Sequence, residues 1–312
     1  MKHIFIINPK AGKGHNVDRI YDMADVLRVR HGLDVMCILT QSRGHATAIT
    51  REFAQSGEEY RFYACGGDGT INEVANGIAG FPNAAMTAIP IGTGNDFLKN
   101  FGDKAPLFSD AENLFDGEVQ ELDLIDCNGR LALTIACSGI DARVAVDVHR
   151  YSARPRVDGK TSYIIAVARN VIFKDLHSHW TLNIDGREKE SDYTLIAVCN
   201  GRYYGGGFMP VAEAGMTDGV LNTLVVGKIT RALFARFVGA YSKGDYHKFP
   251  KYARCYQGKE IRIRSTQKDI PTCLDGEVSF SDDVTIRLSD KKLRFFGPKG
   301  CNPDATRRKG HE

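Results

Sequence analysis

No two of the eight cysteines (positions 37, 65, 127, 137, 199, 255, 273 and 301) form a C-x-x-C pair, which argues against a zinc site or a dithiol redox motif. Several lie in apolar, strand-like runs, where a free thiol behaves as a small hydrophobe. No apolar run reaches the length of a membrane span, and the stretch from Ile4 to Ile7 is too short for a signal-peptide core. A net charge of +3 over 312 residues leaves no overall nucleic-acid footprint. There is no internal repeat and no low-complexity segment. The G-x-x-x-x-G-K-[ST] phosphate loop is missing, no G-x-G-x-x-G opens a helix after the first strand, and Gly92-x-Gly94 lacks the third glycine; neither nucleotide-binding mechanism can be borrowed. What remains is an ordinary soluble composition, 43% hydrophobic and 25% charged. The length suits about two domains, and the expected setting is a reduced cytoplasm.

What is present centres on Gly66-Gly67-Asp68-Gly69-Thr70. It lies between a strand-like run, Arg61 to Cys65, and apolar positions Ile71, Val74, Ala75 and Ile78 at helical spacing. Glycines at such a junction let backbone amides approach a phosphate, and the positive helix end favours the anion. An aspartate in the same loop would repel that anion unless a divalent cation lay between them. The competing reading is a plain turn followed by a capping box, Thr70-Ile71-Asn72-Glu73.

The first third alternates strand and helix. Ile4 to Ile7 reads as a strand buried on both faces. Val17, Ile20, Tyr21, Ala24 and Leu27 mark one face of a helix that Gly32 ends. Strands at 33–39, 61–65 and 86–91 alternate with helices near 46–55 and after Gly66, which predicts an open parallel sheet with helices on both sides. Ligands in such sheets bind beyond the carboxyl ends of the strands. Three unusual loops fall there: Asn8 to Gly14, Gly66 to Thr70, and Gly92 to Asp96. After about Leu122 short β-runs take over, at 131–136, 193–199, 220–226, 261–264 and 284–288. Asp-Gly pairs at 185–186, 218–219 and 275–276 read as turns, predicting a mainly antiparallel second domain. The basic tail from Arg307 to Glu312 reads as frayed.

The ordered set Asn8-Pro9 with its following glycines, Gly44-His45-Ala46, Gly66 to Thr70 with Asn72 and Glu73, and Ile89 to Phe97 resembles the diacylglycerol kinase catalytic family of lipid kinases. The resemblance continues through Gly139-Ile140-Asp141-Ala142, Asn200-Gly201 to Gly207-Phe208, Asp218-Gly219 and Asp275-Gly276-Glu277. The glycine–aspartate loop alone is shared with NAD kinases; the combination is far more specific. The resemblance implies an NAD-kinase-like three-layer α/β domain (1–122, with 290–312 rejoining it) and an antiparallel β-sandwich lipid-substrate domain (123–289), with the active site in the cleft between them. It implies that ATP is surrounded by Asn8, Pro9, Lys10, Ala11, Gly12, Thr40, Gly66, Gly67, Asp68, Gly69, Thr70, Asn72, Glu73, Gly92, Thr93 and Asn95, with Lys13 and Lys160 as further phosphate contacts. Asp275 would be the general base and Glu277 its companion. Asp68, Asp96 and Asp123 would organise the catalytic Mg²⁺. Gly215, Asp218 and Val220 would hold a second, structural Mg²⁺. The chain departs from the family here, with Ala212-Glu213 in place of Pro-Asp and Thr217 to Asn222 in place of Asp-Asp-Gly-Leu-Leu-Asp. Those departures put the second metal site in question.

Phosphoryl transfer asks mainly for positioning and charge neutralisation. The expected acceptor is a lipid alcohol at a membrane surface, diacylglycerol first; sphingosine, phosphatidylglycerol, undecaprenol or a soluble NAD-like substrate are alternatives, as is a non-catalytic nucleotide-sensing module. Asp275→Asn is expected largely to abolish transfer while leaving fold and ATP binding intact. Leu233, Phe234, Phe237, Val238 and Tyr241 form an apolar stripe flanked by Arg231, Arg236, Lys243, Lys248 and Lys251. It reads either as a helix covering the β domain or as a basic amphipathic helix at the inner membrane face. The sequence leaves a homodimer open.

Overall fold

The computed structural model describes residues 1–14, 16–92, 94–152, 169–171 and 174–308. Four parallel strands, β1 (Lys2–Ile7), β2 (Val35–Leu39), β3 (Tyr60–Gly66) and β4 (Ala84–Pro90), form the first sheet with β5 (Glu118–Leu122) and β17 (Leu293–Gly297). The order is β2-β1-β3-β4-β17-β5. The continuous apolar run in β1 is what this position demands, since Ile4, Phe5, Ile6 and Ile7 are all fully buried between layers. Helix α1 (Val17–His31) ends at Gly32, whose φ of 65° closes it in the left-handed region. Helices α2 (His45–Gln55) and α3 (Asp68–Ile78) follow β2 and β3, and the short α4 (Asp96–Lys99) follows β4. All three loops singled out from the sequence therefore lie beyond the carboxyl ends of β1, β3 and β4.

The chain then enters an eleven-stranded antiparallel sheet built from β6 (Ile125–Cys127), β7 (Arg130–Ala132), β8 (Ile135–Gly139), β9 (Ser178–Ile184), β10 (Arg187–Cys199), β11 (Leu221–Gly227), β12 (Ala253–Gly258), β13 (Glu260–Arg264), β14 (Ile270–Leu274), β15 (Glu277–Ser281) and β16 (Asp283–Leu288). Strand β8 and the second half of β10, from Tyr193 to Cys199, are buried on both faces. The two-residue period sends Ile135, Cys137, Leu195 and Ala197 to one core, with residues of α5 (Ile140–Ser152) and α6 (Arg231–Tyr241). It sends Ala136, Ile196 and Val198 to the other, facing Ile261, Ile263, Val284 and Ile286 inside the sandwich.

Three expectations change. The run at 131–136 is two strands, β7 and β8, because the amides of Leu133 and Thr134 donate to the Asp275 carboxylate instead of to a neighbouring strand. Asp218-Gly219 closes no hairpin; Gly219 (φ 72°) lies in the loop leading into β11. The tail is tied down as far as Arg308: Arg307 pairs with Asp218 at 2.6 Å and Arg308 with Asp245 at 3.1 Å.

Candidate active site

A cavity of about 800 Å³ opens where β1, β3 and β4 end. Asn8, Lys10, Ala11 and Gly12 line it after β1, Thr40 and residues 41–43 after β2, and Gly67, Asp68, Gly69, Thr70 and Glu73 at the start of α3. Gly92 and Gly94 complete it after β4. The floor needs glycine. A Cβ on Gly92 would stand 2.6 Å from the Gly67 Cα, so the two glycine loops touch backbone to backbone. Gly12, at φ 60°, leaves no room for a Cβ against the Ile91 carbonyl.

Not every expected residue lines this space. Pro9, Gly66, Asn72 and Asn95 do not. Gly66 turns its carbonyl to the amides of Ile91 and Gly92, at 3.0 and 3.2 Å. Asn95, at φ 52°, stands at the N-terminus of α4 and donates to the Gly92 carbonyl at 3.0 Å. Thr93 and Lys160 lie outside the described residues, as does the side chain of Lys13. The expected capping box does not form. Helix α3 begins at Asp68, two residues before Thr70, and Thr70 Oγ1 accepts from Asn8 Nδ2 at 3.2 Å. Glu73 instead caps the neighbouring helix α2, accepting from the amides of Gly44 (2.9 Å) and Ala46 (3.2 Å).

The three expected metal-organising acids separate. Asp68 faces the cavity and accepts from the amides of Asp96 (3.1 Å) and Phe97 (3.0 Å). Burial pushes its carboxyl above the usual range against those two amides, and the charges of Asp96 and Asp275 act in the same upward direction. A cation beside it would relieve that penalty, and Mg²⁺ commonly takes one or two carboxylates together with substrate phosphates. Asp68 therefore fits such an ion. The Asp96 oxygens accept from Lys99 Nζ (2.5 Å) and the Gly206 amide (2.6 Å). Asp123 is fully buried elsewhere, between Lys292 Nζ and the Gly219 amide (2.8 Å).

Asp275 occupies the β14–β15 turn at φ 44°. Its carboxylate accepts five hydrogen bonds. Oδ1 takes the amides of Thr134 and Ile135, each at 3.0 Å, and the Thr134 hydroxyl at 2.5 Å. Oδ2 takes the Leu133 amide at 2.5 Å and Asn72 Nδ2 at 3.0 Å. Glu277, two residues on, pairs with Arg43, which also lines the cavity. Both residues of the late Asp-Gly-Glu segment thus bond to the first domain, one through α3 and one through the loop before α2.

The segment expected to hold a second metal does not fit one. Among the described residues, the guanidinium of Arg307 lies against Gly215 and Asp218.

A small apolar cavity of about 50 Å³ lies under α5 and α6, lined by Ile140, Val144, Phe208, Phe234 and Tyr241 among others. At its polar end the Asp141 carboxylate accepts from the hydroxyls of Tyr204 and Tyr241, the latter at 2.5 Å. Phe234, Phe237 and Tyr241 are buried there, so the apolar stripe of α6 covers the β domain.

Residues 2–127 match the diacylglycerol kinase catalytic domain, and residues 134–297 match the YegS C-terminal NAD kinase beta sandwich-like domain. The chain belongs to this diacylglycerol kinase-like family. It is similar to a protein of Staphylococcus carnosus named "Putative lipid kinase", 26% identical over 244 residues, 78% of each chain. A Staphylococcus haemolyticus protein named "Putative lipid kinase SH2167" is 28% identical over 236 residues, 75% of each chain. Among solved structures, a diacylglycerol kinase from Bacillus anthracis superposes with a TM-score of 0.70 at 22% identity, covering 96% of this chain and 98% of that one. An NAD kinase from Archaeoglobus fulgidus in complex with ATP superposes with a TM-score of 0.51 at 15% identity, covering 95% and 94%. At these identities the superpositions establish a shared two-domain fold.

Proposed function

We propose that this chain transfers the γ-phosphoryl group of ATP to the hydroxyl of a membrane lipid, diacylglycerol before others, giving phosphatidic acid. The nucleotide-binding unit is taken as 1–122 with 290–312, and the lipid-substrate unit as 123–289. One observation carries the reading: the contact between Gly67 and Gly92 beneath a cavity of about 800 Å³, with Asp68 on its wall.

In this reading the triphosphate lies along the glycine backbones, facing the N-terminus of α3, whose first amides have no partner within the helix. Lys10 and Arg43 add positive charge at the mouth. Asp68 would hold Mg²⁺, which when bound offsets the charge that shifts during transfer. Asp275 accepts the proton of the lipid hydroxyl. A carboxylate has about four lone-pair sites, and five donors already surround this one, so the hydroxyl must displace a donor first. Asn72 and Thr134 contribute the side-chain donors able to rotate away, whereas the three amides are fixed in the backbone. General-base help of this kind is worth about 10²–10⁴-fold.

The acceptor is tested with labelled ATP and Mg²⁺ against diacylglycerol, monoacylglycerol, phosphatidylglycerol, sphingosine, ceramide, undecaprenol and NAD. Label in phosphatidic acid is the expected result; label in NAD alone would replace the lipid reading. ATP binding without transfer to any acceptor would favour a nucleotide-sensing module. No helix among the described residues is long and apolar enough to cross a membrane. Access to the lipid is assigned to peripheral contact at the inner face through the basic edge of α6. Co-sedimentation with anionic vesicles that falls as salt rises is expected; equal binding to neutral vesicles would refute that contact.

A further inference from the structure

Three carboxylates and two cations of the chain itself meet at the loop before β11, with Asp218 on the loop and Asp123, Lys292, Asp304 and Arg307 brought to it from other segments. Asp218 Oδ2 pairs with Arg307 Nη1 at 2.6 Å, while Asp218 Oδ1 accepts from the Val220 amide at 3.2 Å. Asp123 is held by Lys292 and the Gly219 amide. Asp304 accepts from the Met216 amide at 2.8 Å and the Thr217 hydroxyl at 2.6 Å. The same turn returns Arg307 to the loop, the Arg307 amide donating to the Asp304 carbonyl at 3.1 Å.

The place of the guanidinium is set by Gly215. A Cβ there would come within 2.6 Å of Arg307 Nη1 and 3.1 Å of Asp218 Oδ2. Glycine thus opens the recess that the guanidinium fills, at the position where the family resemblance puts a divalent cation. The donor set has changed to match. Thr217 and Asn222 replace two carboxylates of the family pattern, lowering the negative charge available to a metal. The tail bearing Arg307 is anchored independently by the buried Arg202, which donates to the Pro303 carbonyl at 2.8 Å and the Thr306 hydroxyl at 3.0 Å.

We propose that the Arg307 guanidinium takes the place of a structural divalent cation in this chain, so that the 215–220 loop is held by the protein's own C-terminal segment and needs no metal. An arginine suits this exchange because its charge persists at any working pH and its planar fork can span a carboxylate and adjacent backbone. The cost is that the loop now depends on residues ninety positions away. The proposal does not rest on the kinase reading.

The test is thermal unfolding of the full chain without nucleotide, in EDTA and in millimolar Mg²⁺ or Ca²⁺, for wild type, Arg307→Gln and Asp218→Asn. Wild-type Tm is expected to be the same in EDTA and in either cation. Arg307→Gln is expected to lose several degrees in EDTA and to recover part of that loss in Mg²⁺ or Ca²⁺, with no recovery once Asp218→Asn is added. Mn²⁺ bound to Arg307→Gln and followed by electron paramagnetic resonance should show a site absent from wild type. A wild-type Tm that falls in EDTA would overturn the proposal, as would an Arg307→Gln protein with unchanged Tm or one destabilised with no response to any cation.

Discussion

Asn72 Nδ2 donates to Asp275 Oδ2 at 3.0 Å, joining α3 of the parallel-sheet domain to the β14–β15 turn of the sandwich. The same amide reaches the Leu131 carbonyl at 3.3 Å, and Asn76 receives the Leu131 amide at 3.2 Å. One face of α3 therefore faces the nucleotide cavity while the next turn grips the second domain.

That arrangement alters what Asp275→Asn should do. Sequence reasoning alone predicts loss of turnover in an intact fold. An asparagine amide group, however, would turn N–H donors toward the donors that now reach Asp275, whichever way it is rotated. Leaving such groups unpaired costs about 1–3 kcal/mol. Asp275→Asn should therefore lower both turnover and the urea midpoint. Assayed well below its Tm, the folded variant should still fall by about 10² or more in kcat. Normal turnover in a destabilised variant would leave Asp275 as a domain tie alone.

The contact between the glycine loops makes an asymmetric prediction. Gly92→Ala puts a methyl 2.6 Å from the Gly67 Cα, whereas Gly67→Ala puts one at an ordinary 3.5 Å from the Gly92 Cα. Overpacking of the first kind costs about 1–3 kcal/mol. Nucleotide affinity by isothermal titration should fall much further for Gly92→Ala than for Gly67→Ala. Equal effects would mean that the contact does not shape the cavity.

The parallel sheet and the three loops beyond its strand ends were legible because parallel strands such as β1 are continuous apolar runs and loop glycines punctuate them. The Asn128-Gly129 hairpin between β6 and β7, with both residues at positive φ, carried the strongest short-range turn signal and was missed. Glu73 misled for a different reason: its spacing from Thr70 fits a local cap, but α3 starts earlier and the carboxylate serves α2. The donors around Asp275 come from residue 72 and residues 133–135, and the cation at Asp218 comes from residue 307. No local pattern records pairings across such separations, and a basic terminal run reads as a solvated tail until the fold supplies its partners.

Arg43 and Glu277 pair across the cleft, with Arg43 largely exposed and Glu277 half-buried. An exposed pair contributes about 0–1 kcal/mol, so Arg43→Ala should scarcely move the urea midpoint. Its effect should fall on ATP, because Arg43 also lines the cavity. KM for ATP should rise, and the gap from wild type should narrow as salt screens the charge. The swap Arg43→Glu with Glu277→Arg restores a pair yet moves the cation to the other domain. It should keep the wild-type urea midpoint without restoring KM. Full recovery of KM would show that closure of the cleft, rather than the charge at residue 43, is what ATP requires.

Asp141 gives the pH prediction. Burial pushes its carboxyl above the ordinary 3.8, against the hydrogen bonds from Tyr204 and Tyr241. The folded chain thus keeps this proton over a window in which the unfolded chain has lost it. Stability contributed here is greatest below 3.8, falls as pH rises through the window, and is level above the raised folded value. Asp141→Asn has no proton to lose, and its amide oxygen can accept from both phenols as Asp141 Oδ2 does now. The unfolding free energy of Asp141→Asn relative to wild type should therefore climb as pH rises above the ordinary 3.8 and level off above the raised folded value. Urea unfolding at successive pH values measures it. A difference constant with pH would show that Asp141 titrates alike in folded and unfolded chains, and that burial beside Tyr241 costs its charge nothing.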